Sequence, residues 1–214
     1  MHSKTFFLII SILAFSFVLG LFSNRFLSSG SNNHELHRAY SLPQSYIWLP
    51  KQKLRTLPRS GSAWKRLQAA ADKPIQAPNL SDQHSPVNVQ ILARALVFAR
   101  TGEKKYKEEV EAACMLAMGT ETSGNALALA KQLLSYVVAA DLVDLPDPEK
   151  VRFQNWLKKI LAYRFPSGKT LRSTHEVRPN NWGTLAGASR LAAALYLQDE
   201  QEIKRSAEAF KGWL

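Results

Sequence analysis

The sequence predicts an all-α fold of helical hairpins in two layers, which curve into a partial (α/α) toroid. From about residue 62 the apolar residues recur at helical spacing, and alternating segments of the kind that forms strands are scarce. Three segments are apolar almost all round, and they alternate with segments that carry a single apolar stripe. Because a helix that is apolar on all sides must be buried on most of them, this pattern indicates inner helices covered by outer ones.

The inner layer is predicted from three segments of high apolar content. Residues 87–100 hold 10 apolar side chains in 14, residues 126–143 hold 14 in 18, and residues 185–197 hold 10 in 13. A weaker helix is predicted before them, at about residues 62–72.

The outer layer is predicted from the segments between and after them, 103–118, 148–161 and 200–211. Each has one apolar stripe, formed in 148–161 by Phe153, Trp156, Leu157, Ile160 and Leu161, and in 200–211 by Ile203, Ala207 and Phe210. Residues that commonly begin or end helices mark the boundaries: Ser85 with Pro86, Gly102, Gly119, Pro146 with Pro148, and Asn180 or Asn181.

Composition narrows the classes of function. One cysteine in 214 residues excludes a disulfide framework and, without a Cys/His cluster, a structural zinc site, so Cys114 is interpreted as a buried apolar residue. The net charge of +11 is concentrated at the start: residues 1–80 hold 10 basic and 2 acidic side chains, and residues 81–214 hold 18 and 15. The nearly equal numbers of basic and acidic side chains in residues 81–214 argue against a nucleic-acid partner.

Phosphate-binding glycine loops and metal-ligand spacings are absent from the sequence, so neither a metal nor another cofactor is expected.

The N-terminus is interpreted as an export segment. Residues 6–22 form a run of 17 positions without charge, preceded by Lys4, which is typical of a secretion signal. The run is longer than the core of most cleaved signals and shorter than a comfortable membrane span, so a cleaved signal and an uncleaved anchor both remain open. The domains are therefore predicted as signal or anchor at 1–22, linker at 23–45 and helical domain at 46–214. The helical domain is expected outside the cytoplasm, secreted or periplasmic, and residues 6–22 are the candidate membrane contact.

Four stretches of the chain together resemble a known family. They are LPRSGSAWKRLQAAAD (57–72), NLSDQHSPVNVQILARALVFARTGEKKY (79–106), LLSYVVAADLVDL (133–145) and RPNNWGTLAGASRLAAALYL (178–197). In this order and spacing they are similar to the N-terminal half of alginate lyase family proteins. The resemblance covers roughly residues 46–214 and implies a secreted polysaccharide lyase with an incomplete α/α toroid.

Two departures from the family pattern bear on activity. The family's Asn-Asn-His segment, in which the second Asn helps to hold the substrate carboxylate, is matched by Asn180-Asn181-Trp182, so Asn181 corresponds and the His does not. The family's catalytic Tyr and Arg come from helices further along than residue 214. The helical domain is therefore expected to be incomplete at its C-terminal end. Whether the chain is an enzyme by itself stays open at this point.

The candidate site lies in the segment from Arg172 to Asn181. A lyase acting on a uronic acid polymer must neutralise a carboxylate, remove the adjacent C5 proton and protonate the leaving oxygen, and positioned donors favour the first step. Asn181 and His175 are the candidate catalytic residues, with Arg178, Asn180 and Trp182 as candidate substrate-binding residues. The alternatives are an N-cap role for either asparagine, a solvated His175 and a packing role for Trp182.

A second candidate group is Lys131 and Gln132, on the polar strip of the most apolar helix. They could line a sugar cleft at the inner surface, or the strip could simply meet solvent.

The function predicted is that of an exported protein, similar to polysaccharide lyases, that binds or cleaves an acidic (uronic acid) polysaccharide by β-elimination without a cofactor. The alternative is a membrane-anchored helical-hairpin module that binds a partner and does no chemistry. The expected partner is an acidic polysaccharide, and the sequence does not indicate an oligomeric state.

Overall fold

The computed structural model describes residues 47–213; the predicted signal segment 1–22 and linker 23–45 lie outside the described residues. Within this range the chain forms α-helices and no strand, which confirms the all-α prediction. The helices are α1 (Lys51–Thr56), α2 (Gly61–Ala71), α3 (Val87–Thr101), α4 (Lys104–Ala117), α5 (Ala126–Val143), α6 (Glu149–Ala162), α7 (Leu171–Val177), α8 (Asn181–Leu197) and α9 (Glu200–Lys211).

The inner layer consists of α3, α5 and α8, with α5 in the middle packed against both others. Nearly every residue of α5 is buried, as its apolar composition predicts. Within residues 47–213, α5 alone is long and apolar enough to cross a membrane, with a mean hydropathy of 1.5 over 18 residues, and 78% of that segment is buried inside the protein. Its burial is that of a core helix.

The outer layer consists of α4, α6 and α9. Helix α4 packs on α3 and α5, α6 packs on α8 and α4, and α9 packs on α8. The buried stripe of α6 is the predicted one, and Cys114 on α4 is fully buried, also as predicted. The two-layer interpretation agrees with these contacts, whereas curvature into a toroid stays a prediction.

Two local features differ from the sequence-based expectation. The segment after Thr170, where the sequence predicts no helix, forms the short helix α7. It opens with a capping box in which the Thr170 and Ser173 side chains each accept from the other's backbone N–H. In α9 the buried residues are Glu202, Ser206 and Phe210, so the buried stripe includes a carboxylate and a hydroxyl beside the apolar ring of Phe210. The buried carboxylate is compensated by arginines from α7 and α8.

Candidate functional site at the start of helix α8

The turn between α7 and α8 assigns different roles to the two asparagines. Asn180 is the N-cap: its Oδ1 accepts from the backbone N–H of Trp182 at 2.9 Å and of Gly183 at 3.5 Å. Asn181 is the first residue of the helix, and its side chain is exposed. Because Asn180 supplies the cap, the amide of Asn181 is available to a ligand.

Arg178 and Trp182 form a stacked pair beside Asn181. The guanidinium carbon of Arg178 lies 4.8 Å from the centre of the Trp182 ring, and both side chains are half-buried. Such a cation–π contact contributes about 0.5–1 kcal/mol and leaves the in-plane N–H donors of the guanidinium available. Arg178 does not pair with nearby Glu176, whose carboxylate is held by Arg190 at 3.0 Å. We call Arg178, Asn181 and Trp182 the α8 rim.

The electrostatic potential at the rim favours an anion. The N-terminus of the 17-residue helix α8 carries a partial positive charge from its aligned peptide dipoles. The guanidinium of Arg178 adds a full charge at the same end. The guanidinium can donate two parallel N–H bonds to a carboxylate, and the exposed side chain of Asn181 lies at the same end of the helix.

The rim depends on a close approach between backbones. A Cβ added at Gly183 would lie 1.8 Å from the carbonyl oxygen of Arg178. That same oxygen accepts from the Asn180 N–H at 2.7 Å. The absence of a side chain at position 183 therefore allows the turn that holds Arg178 over Trp182.

The structure places His175 in the interior, on α7, and not in a solvated loop. Its ring is fully buried, 4.3 Å from the centre of Phe210 and 5.2 Å from that of Trp213. Its Nδ1 lies 3.3 Å from Nη1 of Arg190. An arginine can only donate, so Nδ1 is the acceptor and the neutral imidazole carries its proton on Nε2.

Burial and, to a smaller extent, the charge of Arg190 together lower the pKa of His175 from 6.5 to about 4, against an opposing effect of Glu202. In the folded state the His175 imidazole therefore stays neutral, whereas in the unfolded chain it binds a proton as the pH falls through about 6.5. The contribution of His175 to the free energy of unfolding is fully present above about pH 6.5 and is lost as the pH falls toward 4.

We therefore expect the free energy of unfolding to fall by about 2–3 kcal/mol between pH 7 and pH 4 through His175. Urea unfolding at pH steps from 7 to 5 samples most of this window before the carboxyl groups titrate. His175→Gln, which keeps an acceptor and cannot take up the proton, is expected to flatten the slope. An equal slope in wild type and variant would show that His175 does not cause the acid sensitivity.

An ionic network, not predicted from the sequence, joins α7, α8 and α9 behind the rim. Fully buried Arg190 donates through Nε to Oε1 of buried Glu202 at 2.6 Å, and Arg172 donates to the same oxygen at 2.8 Å. Burial alone would raise the pKa of Glu202, but the hydrogen bonds and charges of the two arginines outweigh it and lower that pKa. The network fixes α7, and with it Arg178, against the inner helix.

The second candidate group, Lys131 and Gln132, lies on α5, away from the start of α8. Gln132 is buried, and its Nε2 donates to the backbone oxygens of Asp82 at 2.8 Å and Ser85 at 3.1 Å, so it ties the loop before α3 to α5. Lys131 is half-buried beside it. Helix α8 meets this part of α5 through Ser189, whose Oγ donates to the Ala130 oxygen at 2.8 Å.

Ser189 follows Asn181 by eight residues, or about 12 Å along α8 at 1.5 Å per residue. The structure therefore brings Arg178, Asn181 and Trp182 together and places Lys131 and Gln132 apart from them. Within residues 47–213, His, Cys, Asp and Glu side chains form no group of three or more that could hold a metal ion.

Comparison with known proteins identifies the family. A family model described as alginate lyase matches residues 88–213, from the first turn of α3 to the residues just after α9. Neither the curated proteins nor the solved structures include a significant match. The matched range contains the whole α8 rim and spans more than half of the sequence, and on this basis the chain belongs to the alginate lyase family.

Proposed function

We propose that the protein binds an acidic polysaccharide by holding a uronic acid carboxylate at the α8 rim, and that it cleaves the polymer by β-elimination. The observation that carries the proposal is the Arg178 guanidinium stacked on Trp182 next to the exposed Asn181, at the positive end of a buried helix. Membership of the alginate lyase family supports the same class of substrate.

The rim residues suit the first step of such an elimination. The C5 proton of a uronate is a very weak acid, and neutralising the neighbouring carboxylate stabilises the carbanion-like transition state. Arg178 can give two parallel N–H donors to the carboxylate, and Asn181 a further one. Trp182 orients Arg178 through the stacking contact.

His175 lies in the interior, beneath the start of α8, and contacts the residues that position the rim. Its ring is enclosed by Phe210 and Trp213, so in this conformation it does not reach a substrate at the rim. Its Nδ1 instead accepts from Arg190, which also holds Glu176 on α7. We therefore give Arg178 and Asn181 the substrate-binding role and His175 a positioning role.

The proposal includes export. The uncharged run 6–22 after Lys4 is typical of a secretion signal, and a polysaccharide substrate is met outside the cytoplasm. Fractionation of the producing cells tests this point, since recovery of the protein from the cytoplasm alone would contradict it.

A second candidate is a glycan-binding module without catalytic activity. The burial of His175 favours it, because His175 is the one imidazole in the segment from Arg172 to Asn181 and is turned away from the rim.

Calorimetric titration with uronic acid oligomers tests the rim. Arg178→Gln removes a charge-assisted contact and is expected to weaken binding by about 10-fold or more, and Asn181→Ala by about 3- to 10-fold. Arg205→Gln, at an exposed position on α9, is the matched control and should bind as the wild type does. Wild-type affinity in Arg178→Gln would remove the proposed site.

Ultraviolet absorbance of the new C4–C5 double bond separates the two candidates. An increase with the wild-type chain that is lost in Asn181→Ala supports the lyase. Tight, Arg178-dependent binding without any unsaturated product favours the binding module.

A further inference from the structure

Charge is unevenly distributed along the helical domain. Residues 150–178 hold eight basic side chains and one acidic one, Glu176, whereas residues 81–149 hold six basic and ten acidic. The near balance of residues 81–214 as a whole therefore conceals a strongly basic segment. It corresponds to α6, the loop after it and α7.

Helix α6 displays part of this charge on its outer side. Its apolar stripe is buried, and the opposite side exposes Arg152, Lys158 and Lys159. At 100° per residue these three fall within about 120° of each other around the helix. The acidic residue of α6, Glu149, lies in its first turn and not among them.

The loop after α6 adds two cations. The N–H of Phe165 donates to the Lys169 oxygen at 2.8 Å, which closes a turn and brings Lys169 back beside the end of the helix. Arg164 is exposed and donates through Nη1 to the Gly168 oxygen at 2.8 Å, which fixes it on the same turn. We call the five cations the α6 basic face: Arg152, Lys158, Lys159, Arg164 and Lys169.

The described part of the chain provides no salt bridge for these five cations. Other basic residues of the segment do have carboxylate partners: Lys150 lies 3.1 Å from Asp144, and Arg172 lies 2.8 Å from Glu202. Like charges that lack a carboxylate partner repel each other and favour binding of an external polyanion.

We propose that the α6 basic face is a second contact for the same polysaccharide, which binds the chain beyond the uronate held at the α8 rim. The inference rests on the proposed function, since that function supplies the polyanion. Helix α6 packs directly on both α7 and α8, so the two contacts lie on neighbouring elements. Two linked contacts raise the affinity for long chains and leave short oligomers, which occupy one contact, unaffected.

The test compares long uronic acid polymers with short oligomers. The triple variant Arg152→Gln/Lys158→Gln/Lys159→Gln is expected to lose about 10-fold in affinity for the polymer at low salt and to bind short oligomers as the wild type does. Its dissociation constant should also depend less on salt concentration. The matched control is Lys204→Gln/Arg205→Gln/Lys211→Gln on α9, which removes the same charge from another exposed surface. Circular dichroism confirms that both variants are folded.

Each outcome decides between the two proposals. The α6 basic face is not a binding site if the triple variant binds the polymer as the wild type does, or if the α9 control loses as much affinity. In either case the proposed function stands if Arg178→Gln still weakens oligomer binding. If the triple variant loses polymer affinity and Arg178→Gln has no effect, the face is supported and the rim is overturned. Equal or tighter binding of anionic phospholipid vesicles or duplex DNA through the same residues would overturn the assignment to a polysaccharide.

Discussion

Replacement of Arg190 by alanine is expected to destabilise the protein by about 3–5 kcal/mol. The side chain is fully buried and contacts Glu202 at 2.6 Å and Glu176 at 3.0 Å. Its removal leaves the carboxylate of Glu202 buried with Arg172 as its remaining partner, opens a cavity and deprives His175 of its donor. Urea unfolding at pH 7 gives the change in free energy directly.

Arg172→Ala is the matched control for this prediction. Its side chain is 38% exposed, and Glu202 keeps its shorter contact with Arg190. The control is therefore expected to cost only about 1 kcal/mol. Equal losses in the two variants would mean that the buried pair is not what holds α7, α8 and α9 together.

Gly183→Ala is expected to cost about 1–3 kcal/mol and to abolish binding at the rim. Alanine normally stabilises a helix relative to glycine by close to 1 kcal/mol, so the sign of the effect is informative. Here the added Cβ would lie 1.8 Å from the Arg178 oxygen, a backbone atom that cannot rotate away. The turn between α7 and α8 would have to move, and Arg178 would leave its place over Trp182.

Gly212→Ala provides the comparison at a glycine without this constraint. A Cβ there has no neighbour closer than 3.6 Å, and the backbone is already right-handed helical, so stability should stay the same or rise slightly. Urea unfolding and oligomer titration of both variants measure the two effects. If Gly183→Ala behaves as Gly212→Ala does, the close backbone approach is not required.

The layer arrangement could be predicted from sequence because it follows from composition alone. Residues 126–143 are too apolar for more than a narrow strip of the helix to face water, which makes α5 the central helix. Helix α7 was not predicted because its seven residues are mostly polar and too few to show a helical period. Its start depends on the Thr170–Ser173 capping box, which is a feature of local hydrogen bonding.

The candidate site was predicted in part. Capping chemistry allowed either asparagine at the start of α8, and the structure assigns the cap to Asn180, which leaves Asn181 exposed. The stacking of Arg178 on Trp182 depends on the turn geometry, which the residue types do not specify. The predicted catalytic role of His175 stays a prediction, and its burial argues against it.

The buried ionic network was missed because its partners are distant in sequence. One signal was present: Arg190 is the only charged residue in the apolar stretch 185–197, and a lone charge in a buried helix requires a partner. The partner, Glu202, lies next to the apolar stripe of α9, where a small rotation of the helix decides whether it is buried. The packing of α9 on α8 and α7 determines that rotation.

Amide hydrogen exchange of the full chain, with and without a uronic acid oligomer, tests the α8 rim most directly. The account predicts that the strongest added protection falls on residues 178–184, with little change in the loop that Gln132 holds before α3. Added protection centred on that loop and on Lys131, with residues 178–184 unchanged, would contradict it.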